Sequence, residues 1–306
     1  MKKIICVLLF LPLIGFSQTN NFTVLSGPYL GQKPPGNIPE LFAPGIVNTK
    51  LGIYGNIVFS PEFNEACWTL NSGDTTQYRG GFITTKYIDG VWTPPTEIRF
   101  MNNKYNQRSP FYSMDGGRLY FQSHVKADQG WDQFEKFYFV IKTSQGWSKP
   151  QLLDTLFNKY MIHWQFSLDK YDNLYFGADL RNVENSGGIY VSYYKNGKYA
   201  EPELILRNTD MRDFVFGPAI SPEGDYLLFI RVHPKGYSSP RIFSMYVTFK
   251  KDKNTWTDPV DMGQLLGMDA NQPRITPDGK FIFFTSNDSQ AYWVSSKIIE
   301  ELRPKE

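Results

Sequence analysis

Nine polar or aromatic residues have side chains that could bind a ligand or transfer a proton. Imidazole titrates near neutral pH and can ligate metals, while carboxylate, guanidinium and indole groups bind polar or ring-shaped ligands. The alternative is structural, with histidines as ordinary loop residues and arginines paired with nearby acids or backbone carbonyls. The candidate ligand-binding residues are Arg108, His124, His163, Trp164, Asp179, Arg231, His233, Arg274 and Asp288.

The spacing of these residues matches no recognised catalytic motif. The sequence contains no His-x-x-x-His, His-Glu-x-x-His or Cys-x-x-Cys pair and no Gly-x-Ser-x-Gly element. Such spacings are what bring metal ligands or a nucleophile together within one local structure. We therefore predict no metal site, no cofactor and no catalytic residue. The recurring acids Asp115, Glu223 and Asp278 are interpreted as turn-formers.

An internal repeat runs through the chain and must position these side chains. Each repeat has an apolar strand, a turn of the type Ser/Thr-x-Asp/Glu-Gly and an aromatic-rich strand. The copies lie at 59–71, 112–124, 166–179, 219–232 and 275–287. Their Ser/Thr anchors are 53, 54, 54 and 55 residues apart, at Ser60, Ser113, Ser167, Ser221 and Thr276.

Two further strands complete each repeat. Third strands are predicted near 80–87, 136–143, 187–194, 241–249 and 291–298. An aromatic-x-x-Pro signal, as in Trp92 with Pro95, then precedes a short fourth strand. Four strands in a unit of this length are typical of a propeller blade, so the sequence predicts an all-β, five-bladed β-propeller with four-stranded antiparallel blades.

The last repeat lacks its fourth strand, and the N-terminal segment 39–48 resembles one. We expect this segment to complete the last blade and close the ring, which removes two free sheet edges. The predicted organisation is a signal peptide at 1–17, a lead-in at 18–38, one propeller at 39–302 and a tail at 303–306. Its blades are assigned to 54–102, 105–158, 161–210, 212–267, and 269–302 together with 39–48.

The blocks AISPEGDYLLF and PRITPDGKFIFFTSN resemble the repeats of the TolB-type, WD-repeat-like β-propeller family. The resemblance covers about residues 39–302 and extends to the ending AYWVSSKIIEELRP. It implies a propeller whose first strands line a central channel, and often a binding or scaffolding role. In that topology the start of each first strand and the end of each second strand share one face. The candidate residues named above are therefore expected around the channel mouth.

The N-terminus has the features of a signal peptide. Lys2 and Lys3 precede the apolar stretch 4–16, and Gly15 and Ser17 place small residues before a cut at Gln18. We expect an exported protein, periplasmic or extracellular, with no stable membrane insertion after cleavage. The formal charge of +2 gives no strong electrostatic attraction to nucleic acid.

Three functions are compatible with these features. The first is a monomeric binding or scaffold module of the bacterial cell envelope that recognises a protein, peptide or glycan at the channel mouth. The second is a glycan-active enzyme, a glycoside hydrolase or lyase; a hydrolase would need two carboxylates. The best available acids for it are Asp179, Asp213 and Asp288. The third is a structural subunit of a larger envelope complex.

Overall fold

The structure is a computed structural model that describes residues 24–70, 81–102, 105–127, 130–131, 135–209, 213–234, 241–253 and 255–305. The predicted signal peptide and the first part of the lead-in lie outside these residues. The described chain forms five antiparallel blades, which confirms the predicted fold class. No helix in the described ranges is long and apolar enough to span a membrane.

Each blade has four strands in chain order, apart from the last blade. The first strands are Ile53–Phe59, Tyr105–Tyr112, Tyr160–Leu168, Phe214–Ile220 and Asn271–Ile275. The second strands are Glu65–Leu70, Arg118–Ala127, Leu174–Leu180, Tyr226–Pro234 and Phe281–Thr285. The third strands are Phe82–Ile88, Lys136–Thr143, Gly188–Ser192, Arg241–Phe249 and Ala291–Ser295.

The fourth strands and the remaining elements are short. Fourth strands are Thr96–Ile98, Gln151–Leu152, Glu203–Arg207, Val260–Asp261 and, for the last blade, Glu40–Leu41. Edge strands are Leu25–Ser26, Val91–Trp92, Gly130–Trp131, Gly146–Trp147, Tyr194–Lys195 and Lys198–Tyr199. Short 3₁₀ helices are Tyr29–Gly31, Thr155–Lys159 and Ser296–Glu301, and Gly263–Leu266 is one α-helical turn.

The hydrophobic core consists of five clusters, one at each interface between neighbouring blades. Alternation along a strand divides its side chains between two clusters, because successive residues point to opposite faces of a sheet. In blade four, Leu227 and Phe229 pack against blade three, while Leu228 and Ile230 pack against blade five. The first strands of neighbouring blades also contact each other around the ring, which places them at the centre.

The N-terminal segment closes the ring, as the sequence predicts. Glu40 pairs with Trp293 and Leu41 with Tyr292. The buried amide of Asn48 then clamps the junction: its Nδ2 donates to the carbonyls of Phe42 and Ala291, each at 2.7 Å, and its Oδ1 accepts from the amide of Ala291 at 2.6 Å. Strand pairing and a buried side-chain clamp therefore hold the two chain ends together.

In blades one, two, four and five the hydroxyl of the Ser/Thr anchor holds the turn between the first and second strands. In blade three the hydroxyl of Ser167 instead accepts from the amide of Ile220 in blade four. The hydroxyl of Ser113 donates to Asp115 at 2.6 Å, and that of Thr276 donates to Asp278 at 2.6 Å. In blade four Ser221 makes the same bond with Asp225, whereas Glu223 pairs with Lys170 of blade three. Asp115 and Asp278 thus hold their own turns, and Glu223 is replaced in that role by Asp225.

Every first strand carries a β-bulge at the same place in the repeat. Pairing with the second strand shifts register there in all five blades. A β-bulge leaves a residue unpaired and re-aims the neighbouring side chains, often beside a functional site. The left-handed residue of each bulge, with φ between 49° and 79°, is Gly55, Ser109, Trp164, Gly217 or Gln272.

Candidate functional site

A cavity of about 460 Å³ opens between blades three and four. It runs along the edge of blade three, from the first strand at Met161–Trp164 to residues 208–209 beyond the fourth strand. Phe214 and Phe216 close it from blade four. Its volume lies within the range of about 300–1,000 Å³ that is usual for small-molecule sites.

Three of the predicted residues meet in this cavity. Nε2 of His163 lies 2.8 Å from Oδ2 of Asp179, and both side chains are about one-third exposed. The antiparallel pairing of Met161 with Asp179 and of His163 with Gly177 brings them together from the first and second strands. The contact orients Asp179 and leaves its Oδ1 without a hydrogen-bond partner among the described residues.

Trp164 forms an aromatic wall of the cavity. Its ring centroid lies 4.5 Å from that of Phe216, and its plane is nearly parallel to that of Phe214 at 6.4 Å. It is nevertheless 41% exposed. Its φ of 49° is an outlier for a bulky residue, and such a conformation costs about 1–3 kcal/mol. The bulge therefore holds a partly exposed indole ring where other blades carry glycine or a small or polar residue.

Polar groups line the opposite side of the cavity. Oδ1 of Asn208 accepts from the amide of Val215 at 2.9 Å, which fixes the side-chain amide and leaves Nδ2 directed to the cavity side. A Cβ on Gly187 would stand 2.4 Å from both Nδ2 of Asn208 and Oδ1 of Asp179. Glycine at this position therefore lets an amide donor and a carboxylate acceptor approach each other beside the ring of Trp164.

Arg231 and His233 lie beside this cavity without lining it. Arg231 donates from Nε and Nη2 to both carboxylate oxygens of Asp213, at 2.7 and 2.6 Å. The hydrogen bonds from the Arg231 guanidinium lower the pKa of Asp213. The bidentate pair anchors the start of the blade-four strand that supplies Phe214.

The other predicted residues do not join the cavity. Arg108 lies 3.0 Å from Oε1 of Glu135 and donates to the hydroxyl of Tyr54 at 2.7 Å. Arg274 is buried in the central channel. Asp288 accepts from the amide of Gln290 in an exposed turn.

His124 lies in a described strand, but its side chain falls outside the described residues. In the part of the chain that the structure describes, no group of three or more His, Cys, Asp or Glu side chains could hold a metal ion.

Sequence reasoning selected His163, Trp164 and Asp179 and missed the rest of the cavity wall, including Phe214 and Phe216. Phe214 and Phe216 also lie at the start of a first strand, the position used to select His163. Asn208 directly follows the fourth strand, and Gly187 directly precedes the third strand. The rule did not include these positions. Extending the rule to all four strand ends would have found them.

Comparisons with solved structures identify other propellers. The chain is similar to TolB from Acinetobacter baumannii at 14% identity and a TM-score of 0.47; the match covers 81% of this chain and 55% of TolB, so the chain spans about half of that protein. It is similar to an α-L-arabinofuranosidase from Podospora anserina at 8% identity and a TM-score of 0.46; the match covers 85% of this chain and 94% of the arabinofuranosidase.

It is also similar to a periplasmic gluconolactonase from Pseudomonas aeruginosa at 10% identity and a TM-score of 0.44; the match covers 87% of this chain and 89% of the gluconolactonase. No family model and no curated protein matches the sequence. The likeness does not extend to a ligand or an activity.

Proposed function

We propose that this protein is a non-catalytic binding module that recognises an uncharged carbohydrate in the cavity between blades three and four. The observation that carries the proposal is Trp164, a partly exposed indole ring kept in a strained backbone conformation and facing a cavity of ligand size. Strain of this kind persists where the surrounding structure enforces it, and it concentrates at ligand sites.

The chemistry of the cavity fits a polyhydroxylated ring better than other ligands. The apolar C–H face of a sugar packs on the indole, while its hydroxyls can donate to Oδ1 of Asp179 and accept from Nδ2 of Asn208. Asp179 disfavours an anionic ligand, because burying two like charges together is costly. No Lys or Arg lies among the described lining residues to offset that charge.

A glycan-cleaving reaction is less well supported by the same site. Glycoside hydrolysis uses two carboxyl groups separated by roughly 5–9.5 Å. Asp179 is the one carboxylate among the described lining residues, and it is held by His163. Asp213, another of the candidate acids, has both oxygens bonded to Arg231. This favours binding without turnover.

The predicted signal peptide supports a place in the cell envelope. Recognition of a protein or peptide at the channel mouth is the alternative. Among the described residues, the space found in the central channel beside the turns between first and second strands holds only about 30 Å³.

A thermal-shift screen tests the proposal. The purified protein is heated with neutral mono- and oligosaccharides, uronic-acid oligomers, short peptides and divalent metal salts. A ligand that binds the folded state raises the melting temperature by mass action. We expect neutral sugars to raise it, with no change in the sugars after long incubation. Stabilisation by peptides alone, or release of cleaved sugar, would contradict the proposal.

A further inference from the structure

A second, separate cavity lies in the central channel and holds about 30 Å³. All five blades contribute to its wall, through Ile57, Met114, Leu168, Ile220 and Arg274 among others. Apart from Arg274, the lining side chains are apolar or uncharged. About 10–15 Å³ of such space is enough for one water. The cavity therefore has room for a monatomic ion and not for an extended ligand.

Arg274 brings a full positive charge into this apolar space. The residue is 3% exposed. Its Nη1 donates to the carbonyl of Phe166 at 2.7 Å, and its guanidinium carbon lies 5.5 Å from the ring centre of Phe111. Its Nε is buried without a hydrogen-bond partner in the described part of the chain.

No described carboxylate neutralises this charge. No described acid forms an ion pair with Arg274, and none of the cavity's lining residues is acidic. Burial alone lowers the pKa of Arg274 to about 9, so the side chain still carries its charge at neutral pH. Buried charges in proteins are paired, because an isolated one costs several kcal/mol or more.

We propose that the central channel binds a halide ion against the guanidinium of Arg274. The ion supplies the missing negative charge and fits the size of the cavity. It also has a structural effect, because Arg274 belongs to blade five and contacts Phe166 of blade three and Phe111 of blade two. A bound halide would thereby stabilise the contacts between blades at the centre of the ring. This site is independent of the carbohydrate cavity.

The proposal is tested by melting the protein in sodium chloride, sodium bromide or sodium gluconate at equal ionic strength. Gluconate is too large for the cavity. We expect chloride and bromide to raise the melting temperature saturably, by about 2–4 °C at tenfold excess over Kd. Arg274→Met should abolish this difference between salts. Arg231→Met is the matched control and should retain it, because its guanidinium is already paired with Asp213.

Anomalous diffraction from the unmodified protein tests the proposal directly and does not require Arg274→Met to fold. Crystals of the unmodified protein soaked in bromide should show an anomalous peak within hydrogen-bond distance of the Arg274 guanidinium. An equal halide response in the protein and Arg274→Met would overturn the proposal. So would the absence of anomalous density at the guanidinium, whatever the melting data show, because the channel would then hold water only.

Discussion

At the scale of single residues, the site depends on side chains that their neighbours hold in place. His163 orients Asp179, Val215 fixes the amide of Asn208, and a bulge presents Trp164. The sequence predicted His163, Trp164 and Asp179 from their positions in the repeat. It could not show that Arg108 is held by Glu135, because that pairing depends on a loop conformation with no signal in the repeat.

The Asp213–Arg231 pair predicts a pH dependence of stability. The pKa of the Asp213 carboxyl is lower in the folded state than in the unfolded chain, where it is about 3.9. The pair therefore stabilises the fold above that pH, and its contribution is lost as pH falls through the lower folded value. We expect Arg231→Met to be less stable than the unmodified protein at pH 6, and the difference to shrink below about pH 4.

Urea midpoints measured from pH 6 to pH 2 check this expectation. Arg99→Met is the control, because its partner Glu97 is half exposed and such surface pairs contribute little. The expectation would be contradicted if the urea midpoints of Arg231→Met and the unmodified protein differed by the same amount from pH 6 to pH 2.

At the scale of elements, the repeat predicted the hairpins but not the contacts that hold each one. In four of the five blades the hydroxyl of the anchor serine or threonine bonds the turn and the start of the second strand. In blade four the hydroxyl of Ser221 donates to Asp225 and accepts from the amides of Asp225 and Tyr226. The sequence placed an acid in this turn but selected Glu223, since the turn pattern alone does not say which acid faces the anchor.

Two single substitutions in the blade-four turn test whether the anchor Ser221, and not Glu223, holds the turn. Ser221→Ala removes a buried hydroxyl and leaves two backbone amides without that acceptor, so we expect a loss of about 1–3 kcal/mol. Glu223→Gln alters an exposed pair with Lys170 and should leave stability almost unchanged, because such surface pairs contribute little. Equal losses in denaturant unfolding would show that the anchor does not hold the turn.

At the scale of the whole molecule, the period of the repeat was enough to predict five blades and ring closure. The number of repeats gives the number of sheets. Because the last repeat lacks a fourth strand and segment 39–48 resembles one, that segment was expected to complete the last blade. The repeat could not predict the cavity between blades three and four, because that space depends on side chains that differ from blade to blade. Trp164, Phe214 and Gly187 are such departures.

Ring closure predicts that residues far from the C-terminus stabilise the last blade. The ring of Phe42 is fully buried and packs against Phe283 and Trp293. We expect Phe42→Ala to cost about 3–5 kcal/mol, since it removes a large core side chain. Lys33→Ala, in the exposed lead-in, should be neutral. A small effect of Phe42→Ala on the denaturant midpoint would contradict closure by this segment.

The central claim is that the partly exposed indole ring of Trp164, presented by the bulge of blade three, binds a sugar. It is tested most directly by calorimetric titration of neutral oligosaccharides into the unmodified protein and Trp164→Gly, with Ser109→Gly, at the equivalent bulge of blade two, as the control. We expect Trp164→Gly to lose at least about tenfold in affinity, or ~1.4 kcal/mol. Its stability should change little, because relief of strain offsets the lost ring contacts. Unchanged affinity in Trp164→Gly, or no binding by the unmodified protein, would contradict the claim.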